Sequence, residues 1–156
     1  MDSQAVLTAL QWEEPRLIVS RSQGLPVVRR RVLVVDDEAA IRKFLATFLE
    51  QYECAVHTVP DGASALVLLQ AEQVDVILMD LQMPGISGLD LAVEVRQTNP
   101  HIPIALITGT PIAIQPATLR QTGISWVFAK PFDLEELLAW LKVLPLQGAP
   151  SFTESR

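Results

Sequence analysis

The stretch that decides the fold is VLVVDDEAAIRKFL, residues 32–45. Four apolar residues, 32–35, lead directly into three acids, Asp36, Asp37 and Glu38, and an amphipathic helical pattern follows at once. An apolar run that does not alternate with polar residues is typical of a parallel strand covered on both faces. The three acids therefore stand between a buried strand and a helix. They either stabilise the start of that helix or hold a cation.

The same order of an apolar run followed by an amphipathic segment occurs five times along the chain. We predict strands at residues 31–35, 54–59, 74–79, 102–107 and 124–129, and helices at residues 38–50, 62–71, 88–98, 116–121 and 133–144. In the first helix, Ile41, Leu45 and Leu49 share one face. Strict alternation of strands and helices, joined by right-handed crossovers, produces a doubly wound α/β fold. We therefore expect a five-stranded parallel sheet with helices on both faces.

Composition excludes several classes of protein. The chain has 156 residues, enough for one domain with a sizeable core, and a net charge of −6, which argues against binding to nucleic acid. No apolar run approaches the ~18 residues that span a bilayer, and the N-terminus has no basic segment leading into an apolar one, as a signal peptide would. Cys54 is the only cysteine, which rules out an intramolecular disulfide and fits a reducing compartment. We expect a cytoplasmic protein that neither enters a membrane nor contacts nucleic acid.

The segments that flank the alternating pattern have weaker signals. We interpret residues 1–29 as an N-terminal extension with one candidate helix at residues 3–14, which Pro15 ends. The arginines at positions 29–31 precede the first strand, and we interpret them as its solvated flank rather than as a phosphate-binding arm. Residues 30–144 form the predicted folded domain. Residues 145–156, PLQGAPSFTESR, are polar and contain Pro and Gly, so we expect a flexible tail.

Polar residues follow four of the five predicted strands at their carboxyl ends. Asp36 and Asp37 follow the first strand, Asp80 the third, Thr108 the fourth and Lys130 the fifth. In a doubly wound sheet these strand ends meet at one edge, where ligands bind. Carboxylates within ~4–6 Å of each other resist joint ionisation unless a cation neutralises them, and oxygen ligands of this kind suit Mg²⁺. The sequence therefore predicts a magnesium site.

This set of side chains also suits transfer of a phosphoryl group to a carboxylate. An aspartate such as Asp80 can act as the nucleophile and form an acyl phosphate. Lys130 supplies a compact positive charge for phosphoryl oxygens, and Thr108 supplies a hydroxyl donor. Each residue also has an ordinary structural explanation, for example Asp36 as a helix cap or Asp80 as a turn residue before Pro84–Gly85. Four such residues at separate strand ends favour the shared site.

Five motifs, in this order and spacing, resemble a known family. The motifs VLVVDDE, DGASAL, ILMDLQMPGISGLDL, LITGT and GISWVFAKPF are similar to those of the response regulator receiver domains of two-component signalling. The resemblance covers residues 31–144, roughly three quarters of the chain. It implies a flavodoxin-like sheet with strand order 2-1-3-4-5.

The resemblance also assigns roles around the magnesium ion. It makes Asp80 the phosphoacceptor, with Asp37 as a direct ligand of Mg²⁺ and Asp36 as a ligand acting largely through water. The backbone carbonyl of Gln82 is a further ligand. Lys130 pairs with the phosphoryl group.

A second group of positions concerns switching between the free and phosphorylated states. By the resemblance, the hydroxyl of Thr108 moves toward the phosphoryl group, and Gln82 and Thr110 influence how long that group survives. The aromatic residue that usually accompanies the threonine shift falls on Val127, and the flanking aromatic residues face the other side of the strand. We therefore expect weak coupling at this position. Pro116 in the first turn predicts a short fourth helix.

The function that the resemblance implies is a phosphorylation-dependent signalling module. It takes a phosphoryl group from the phosphohistidine of a histidine kinase or a histidine phosphotransfer protein, and it catalyses only its own phosphorylation and dephosphorylation. We expect output through protein–protein contact or onward phosphotransfer. A homodimer through the face of the fourth helix, fifth strand and fifth helix is a further arrangement that the resemblance allows.

Three alternatives stay open from the sequence. The chain can be the receiver portion of a hybrid histidine kinase. An aspartyl-phosphate hydrolase of the haloacid dehalogenase type also uses Mg²⁺, a strand-end Asp and a Lys, but Glu38 stands where that family has its second Asp. A phosphorylation-independent adaptor would have lost an acid or the lysine, and all of them are present here.

Overall fold

The computed structural model describes residues 17–19 and 26–145. The candidate helix at residues 3–14 and residues 146–156 of the predicted tail lie outside the described residues. Among the residues described, no helix is both long and apolar enough to cross a bilayer.

The strands of the described residues form two sheets. Two short strands, β1 (Leu17–Val19) and β2 (Pro26–Val28), pair antiparallel. The main sheet has five parallel strands: β3 (Arg30–Val35), β4 (Cys54–Val59), β5 (Val76–Asp80), β6 (Ile104–Thr108) and β7 (Trp126–Ala129). Its order is β4-β3-β5-β6-β7, so the predicted order 2-1-3-4-5 is confirmed for these five strands.

Helices follow the strands of the main sheet in turn. They are α1 (Ala39–Glu50), α2 (Gly62–Ala71), α3 (Gly88–Thr98), α4 (Pro116–Thr122) and α5 (Leu134–Val143), with a 3₁₀ turn at Pro111–Ala113. The fourth helix is short, as Pro116 at its start predicts. It ends at Gly123, whose φ of +72° is a conformation that favours glycine.

The core lies on both faces of the sheet because its central strands are apolar at every position. In β3, Leu33 and Val35 belong to one buried cluster, and Val32 and Val34 belong to the other. All five residues of β5 are buried as well. Successive side chains of a strand point to opposite faces, so helices on both sides are needed to cover them.

The interpretation of the arginine run as a solvated flank was wrong for Arg31. Arg31 is 3% exposed, and its Nε and Nη2 donate to the two carboxylate oxygens of Asp75 at 3.0 and 2.8 Å. The register pairs Val32 with Val76, which brings Asp75 beside Arg31 at the amino-terminal edge of the sheet. Arg30 is half-buried and donates from Nη2 to the carbonyl of Leu144 at 2.7 Å.

Candidate functional site

The parallel register brings the predicted polar residues to one edge of the main sheet. Asp36 directly follows β3, Asp80 ends β5, Thr108 ends β6 and Lys130 directly follows β7. Asp36, Asp80 and Thr108 are 2%, 8% and 3% exposed, although polar residues at strand ends are usually solvated. Buried polar groups require partners. Asp36 and Asp80 both lie beside the amine of Lys130, and the hydroxyl of Thr108 is paired with Thr110.

Three carboxylates form the centre of this site. Asp36, Asp37 and Asp80 each offer an oxygen atom, and these oxygens lie within 4.8 Å of one another. We call these three residues the acid cluster. The first and third are buried and the second is exposed, so the cluster opens to solvent on one side.

The electrostatics of the acid cluster favour a bound cation. Burial raises the pKa of Asp36, and the negative charges of Asp80 and Asp37 raise it further. A hydrogen bond from the amide of Glu38 and the charge of Lys130 act in the opposite direction. A divalent cation between the oxygens would relieve this repulsion, and carboxylate oxygens are ligands that Mg²⁺ prefers. The residues therefore fit magnesium.

The acids do not serve as a side-chain cap for the following helix. The N-cap residue of α1 is Glu38, and its side chain makes no capping hydrogen bond. The carboxylate of Asp36 accepts a hydrogen bond from the amide of Glu38 at 2.8 Å, which fixes the turn between β3 and α1. Of the two explanations for this acidic run, the geometry favours the cation.

Lys130 places a positive charge between the two buried carboxylates. Its Nζ lies 3.5 Å from Oδ1 of Asp80 and 3.9 Å from Oδ2 of Asp36. The amide of Lys130 donates to the carbonyl of Thr108 at 2.8 Å, which continues the pairing of β6 with β7 up to the site. The lysine is therefore held by backbone as well as by charge.

Thr108 lies at the same edge, but its hydroxyl is engaged elsewhere. The amide of Thr110 donates to Oγ1 of Thr108 at 3.1 Å, and the two hydroxyl oxygens are 3.4 Å apart. Thr110 is exposed, whereas Thr108 is buried. The two threonines thus form a local turn at the end of β6.

Gln82 lies in the loop between β5 and α3, beside the acid cluster. It lines a surface groove together with Asp37 and Met83. The start of α3 fits tightly under this loop, because a Cβ at Gly88 would lie 2.4 Å from the carbonyl oxygen of Asp80. A glycine at this position therefore lets the loop stay close to Asp80.

Val127 and its aromatic neighbours occupy opposite faces of β7. Val127 packs against one buried cluster, as Ile114 and Leu119 do. Phe128 is 1% exposed in the other cluster, and its ring is 5.7 Å from that of Trp140. No aromatic side chain of β7 therefore lies on the Val127 face.

Sequence reasoning missed two residues that shape the site. Arg42 donates from Nη1 to the carbonyl oxygen of Asp36 at 2.7 Å, which ties the first turn of α1 to the acid cluster. Its spacing of four residues from Glu38 predicts at most a side-chain pair with that acid, and not this contact with the backbone of Asp36. The other residue is Gly88. The only sequence signal for its close approach to the backbone of Asp80 is its place in the stretch MPGISG.

Comparison with known proteins decides the family. The family described as response regulator receiver domain matches residues 32–142. The chain belongs to this family. Among curated relatives of this receiver domain, Response regulator MprA of Mycolicibacterium vanbaalenii is 32% identical over 120 residues, which are 77% of this chain and 52% of that protein. The probable transcriptional regulatory protein TcrX of Mycobacterium tuberculosis is 34% identical over 125 residues, 80% of this chain and 52% of that protein. The chain spans about half the length of these relatives.

Solved structures agree with this assignment. The chemotaxis protein CheY4 of Vibrio cholerae matches with a TM-score of 0.68 and 30% identity, over 75% of this chain and 99% of that one. The response regulator protein TrrA of Thermotoga maritima, in complex with Mg²⁺–BeF, matches with a TM-score of 0.67 and 31% identity, over 72% of this chain and 96% of that one. The receiver resemblance and the flavodoxin-like fold are thus confirmed, and the chain is a signalling module of two-component systems. The hydrolase alternative is disfavoured.

Proposed function

We propose that this receiver domain accepts a phosphoryl group on Asp80, in the presence of Mg²⁺, from a phosphohistidine of a histidine kinase or a histidine phosphotransfer protein. The observation that supports the proposal is the arrangement of three carboxylate oxygens within 4.8 Å of one another, with the amine of Lys130 3.5 Å from Asp80. This arrangement combines a nucleophile, a cation site and a fixed positive charge. The match to TrrA, whose structure contains Mg²⁺–BeF, also supports it.

The residues that would hold the magnesium ion are Asp36, Asp37, Asp80 and the backbone carbonyl of Gln82. When bound, Mg²⁺ supplies positive charge that neutralises phosphoryl oxygens. The carboxylate that bonds to phosphorus is Asp80, which is held in place because it ends a fully buried strand. The acid next to solvent is Asp37, so the side of the cluster it occupies is the side from which a donor can approach.

The chemical step is a displacement at phosphorus. A carboxylate oxygen of Asp80 forms a bond to phosphorus while the bond between phosphorus and the donor's imidazole nitrogen breaks, and that nitrogen keeps the electron pair. The amine of Lys130 stabilises negative charge on a phosphoryl oxygen, and the hydroxyl of Thr108 donates to another once it leaves its contact with Thr110. Hydrolysis of the acyl phosphate returns Asp80 to a carboxylate.

The signalling output of the domain would depend on phosphorylation of this same site. We place the readout in protein–protein contact or onward phosphotransfer, and we place partner contact or homodimerisation on the face formed by α4, β7 and α5. The receiver domain of residues 30–144 would act in the cytoplasm, and it would catalyse only its own phosphorylation and dephosphorylation. The proposal is the same for a free-standing receiver and for the receiver portion of a hybrid kinase, because all its residues lie between Asp36 and Lys130.

The test is incubation with Mg²⁺ and acetyl phosphate, followed by measurement of the intact mass. The wild type should gain one phosphoryl group only when Mg²⁺ is present, and Asp80→Ala should gain none. Asp90→Ala is a matched control, because it removes an exposed acid of α3 that lies outside the acid cluster. Labelling that persists in Asp80→Ala, or a wild type that is not labelled at all, would contradict the proposal.

A further inference from the structure

Helix α2 has an apolar outer face that no described residue covers. Its sequence, GASALVLLQA, contains no charged residue. Leu66 and Leu69 pack against the core, yet Val67 on the other side is 67% exposed. Apart from Ser64 and Gln70, the side chains of this helix are apolar or absent. A helix of this kind is usually buried on most sides, so this one lacks a cover within the part of the chain described.

The exposed face forms an open groove of about 510 Å³ beside the edge strand of the sheet. Val59 at the end of β4 lines it together with Ala63, Val67, Leu68 and Ala71 of α2. Among the described residues that line it, Glu72 is the only charged one. An apolar groove of this kind marks a surface that binds another apolar element.

The N-terminal segment of the chain emerges at the same edge of the sheet as the end of helix α2, where one end of the groove lies. The β1–β2 register places Leu17 opposite Val28, so residues 1–16 leave the described structure beside residue 28. Val28 and Arg31 are separated by at most ~11 Å of extended chain. Arg31 in turn donates from Nη1 to Oε1 of Gln73 at 2.7 Å, two residues after the end of α2.

The sequence of residues 3–14 matches the groove in length and in apolar pattern. Val6, Leu7 and Leu10 have the i, i+1 and i+4 spacing of one helical face. A helix over residues 3–14 would be about 18 Å long, and α2 is about 15 Å long. Pro15 follows the segment, so a helix would end there and leave two residues to reach β1.

We propose that residues 3–14 form an amphipathic helix that packs its apolar face, Val6, Leu7 and Leu10, into the α2 groove of the same chain. A segment tethered beside its binding groove binds as an intramolecular ligand, so it outcompetes a second copy at low protein concentration. Burial of Val67 against this helix supplies the stabilisation that an exposed valine lacks. The N-terminal extension is then a part of the folded receiver domain.

The test is a double-mutant cycle on the full chain, read by urea unfolding. Deletion of residues 1–16 and Val67→Glu should each lower the urea midpoint, and their combination should lower it no further than the larger single effect. Val93→Glu is the matched control, because Val93 in helix α3 is also an exposed valine, with 43% of its surface accessible. Its effect should add fully to that of the deletion. Leu7→Glu combined with Leu10→Glu should reproduce the deletion with the chain length unchanged.

Each other outcome overturns the proposal. If the deletion leaves the midpoint unchanged, or if its effect adds fully to that of Val67→Glu, the segment does not cover the groove. Light scattering during gel filtration distinguishes the second-copy alternative. A dimer that Val67→Glu dissociates and that the deletion leaves intact would assign the groove to another molecule of this chain.

Discussion

The Nζ atom of Lys130 lies 3.5 Å from Oδ1 of Asp80, so the proposed phosphoacceptor already has a cationic neighbour. The same amine is 3.9 Å from Oδ2 of Asp36. In the proposed mechanism this amine passes from the carboxylate to a phosphoryl oxygen on phosphorylation. Under this proposal, the lysine competes with magnesium for the acids before the reaction and stabilises the product after it.

Replacement of Lys130 by Met should separate these two roles. Phosphorylation by acetyl phosphate should slow by on the order of 10²-fold, because a fixed charge that stabilises the phosphoryl oxygens is lost. The affinity for Mg²⁺ should stay equal or rise, because a competing cation is gone. Time courses of intact mass and calorimetric Mg²⁺ titrations measure the two effects, with Lys142→Met as a control on α5. An unchanged rate would remove Lys130 from the mechanism.

Replacement of Asp37 by Asn should abolish most of the Mg²⁺ affinity, because it removes a proposed direct ligand. Asp36→Asn should weaken the affinity less, since that acid is proposed to act through water. In the absence of Mg²⁺ the free energy of unfolding should rise in both variants, because each removes one carboxylate from a repelling cluster. Calorimetric titration and urea unfolding measure these changes. Glu38→Gln, a neighbouring exposed acid outside the cluster, should leave the Mg²⁺ affinity as in the wild type. An Asp37→Asn titration that matches the wild type would refute the cation site.

The fold was predictable because the sequence patterns that indicate its strands and helices are local. The residues at which the strands begin were predicted less accurately. The strands predicted at residues 74–79, 102–107 and 124–129 each begin two residues before β5, β6 and β7. Burial explains the first two cases, since Val74 and Ile102 are already buried before the ladder begins. Hydrophobicity reports burial, whereas the strand begins where backbone pairing begins.

The candidate site was predictable for a different reason. Strand ends of a parallel sheet converge on one edge, so residue types at the ends are enough to assemble the acid cluster and Lys130. The pair between Arg31 and Asp75 was not predictable, because its members are 44 positions apart and meet only through the register of β3 with β5. Nothing local to an arginine run distinguishes a buried member from a solvated one.

The buried pair of Arg31 and Asp75 should dominate stability at the amino-terminal edge of the sheet. Asp75→Ala leaves a buried guanidinium without its carboxylate, so the free energy of unfolding should fall by about 3–5 kcal/mol. The double variant Arg31→Met with Asp75→Leu should recover much of this loss, because it removes both charges and keeps apolar volume. Urea unfolding measures both. Arg29→Met, at a partly exposed ion pair with Glu53, should change stability by less than about 1 kcal/mol. A double variant at least as unstable as Asp75→Ala would contradict this account.

The proposed switch at Thr108 would differ from one that relies on an aromatic ring. The Val127 side chain is too small to fill space vacated by a moving threonine, and Ile114 packs against the same cluster as Val127. The proposed shift of Thr108 requires its hydroxyl to leave the amide of Thr110, at 3.1 Å, and this moves the start of the loop that contains Ile114. We therefore expect the conformational change that follows phosphorylation to extend from Thr108 along the loop that contains Ile114.

Hydrogen exchange with and without Mg²⁺ and beryllofluoride, a mimic of the phosphoryl group, tests this route. Changes in protection should concentrate at residues 108–119, because a modification shifts an equilibrium only through groups that contact it differently in the two states. Thr108→Ala should still accept a phosphoryl group, since Asp80 and the acid cluster are intact, but it should lose most of the change in that segment. Thr58→Ala, an exposed threonine on β4, should respond as the wild type does. Changes confined to α5, with residues 108–119 unaltered, would show that the signal leaves the site by another route.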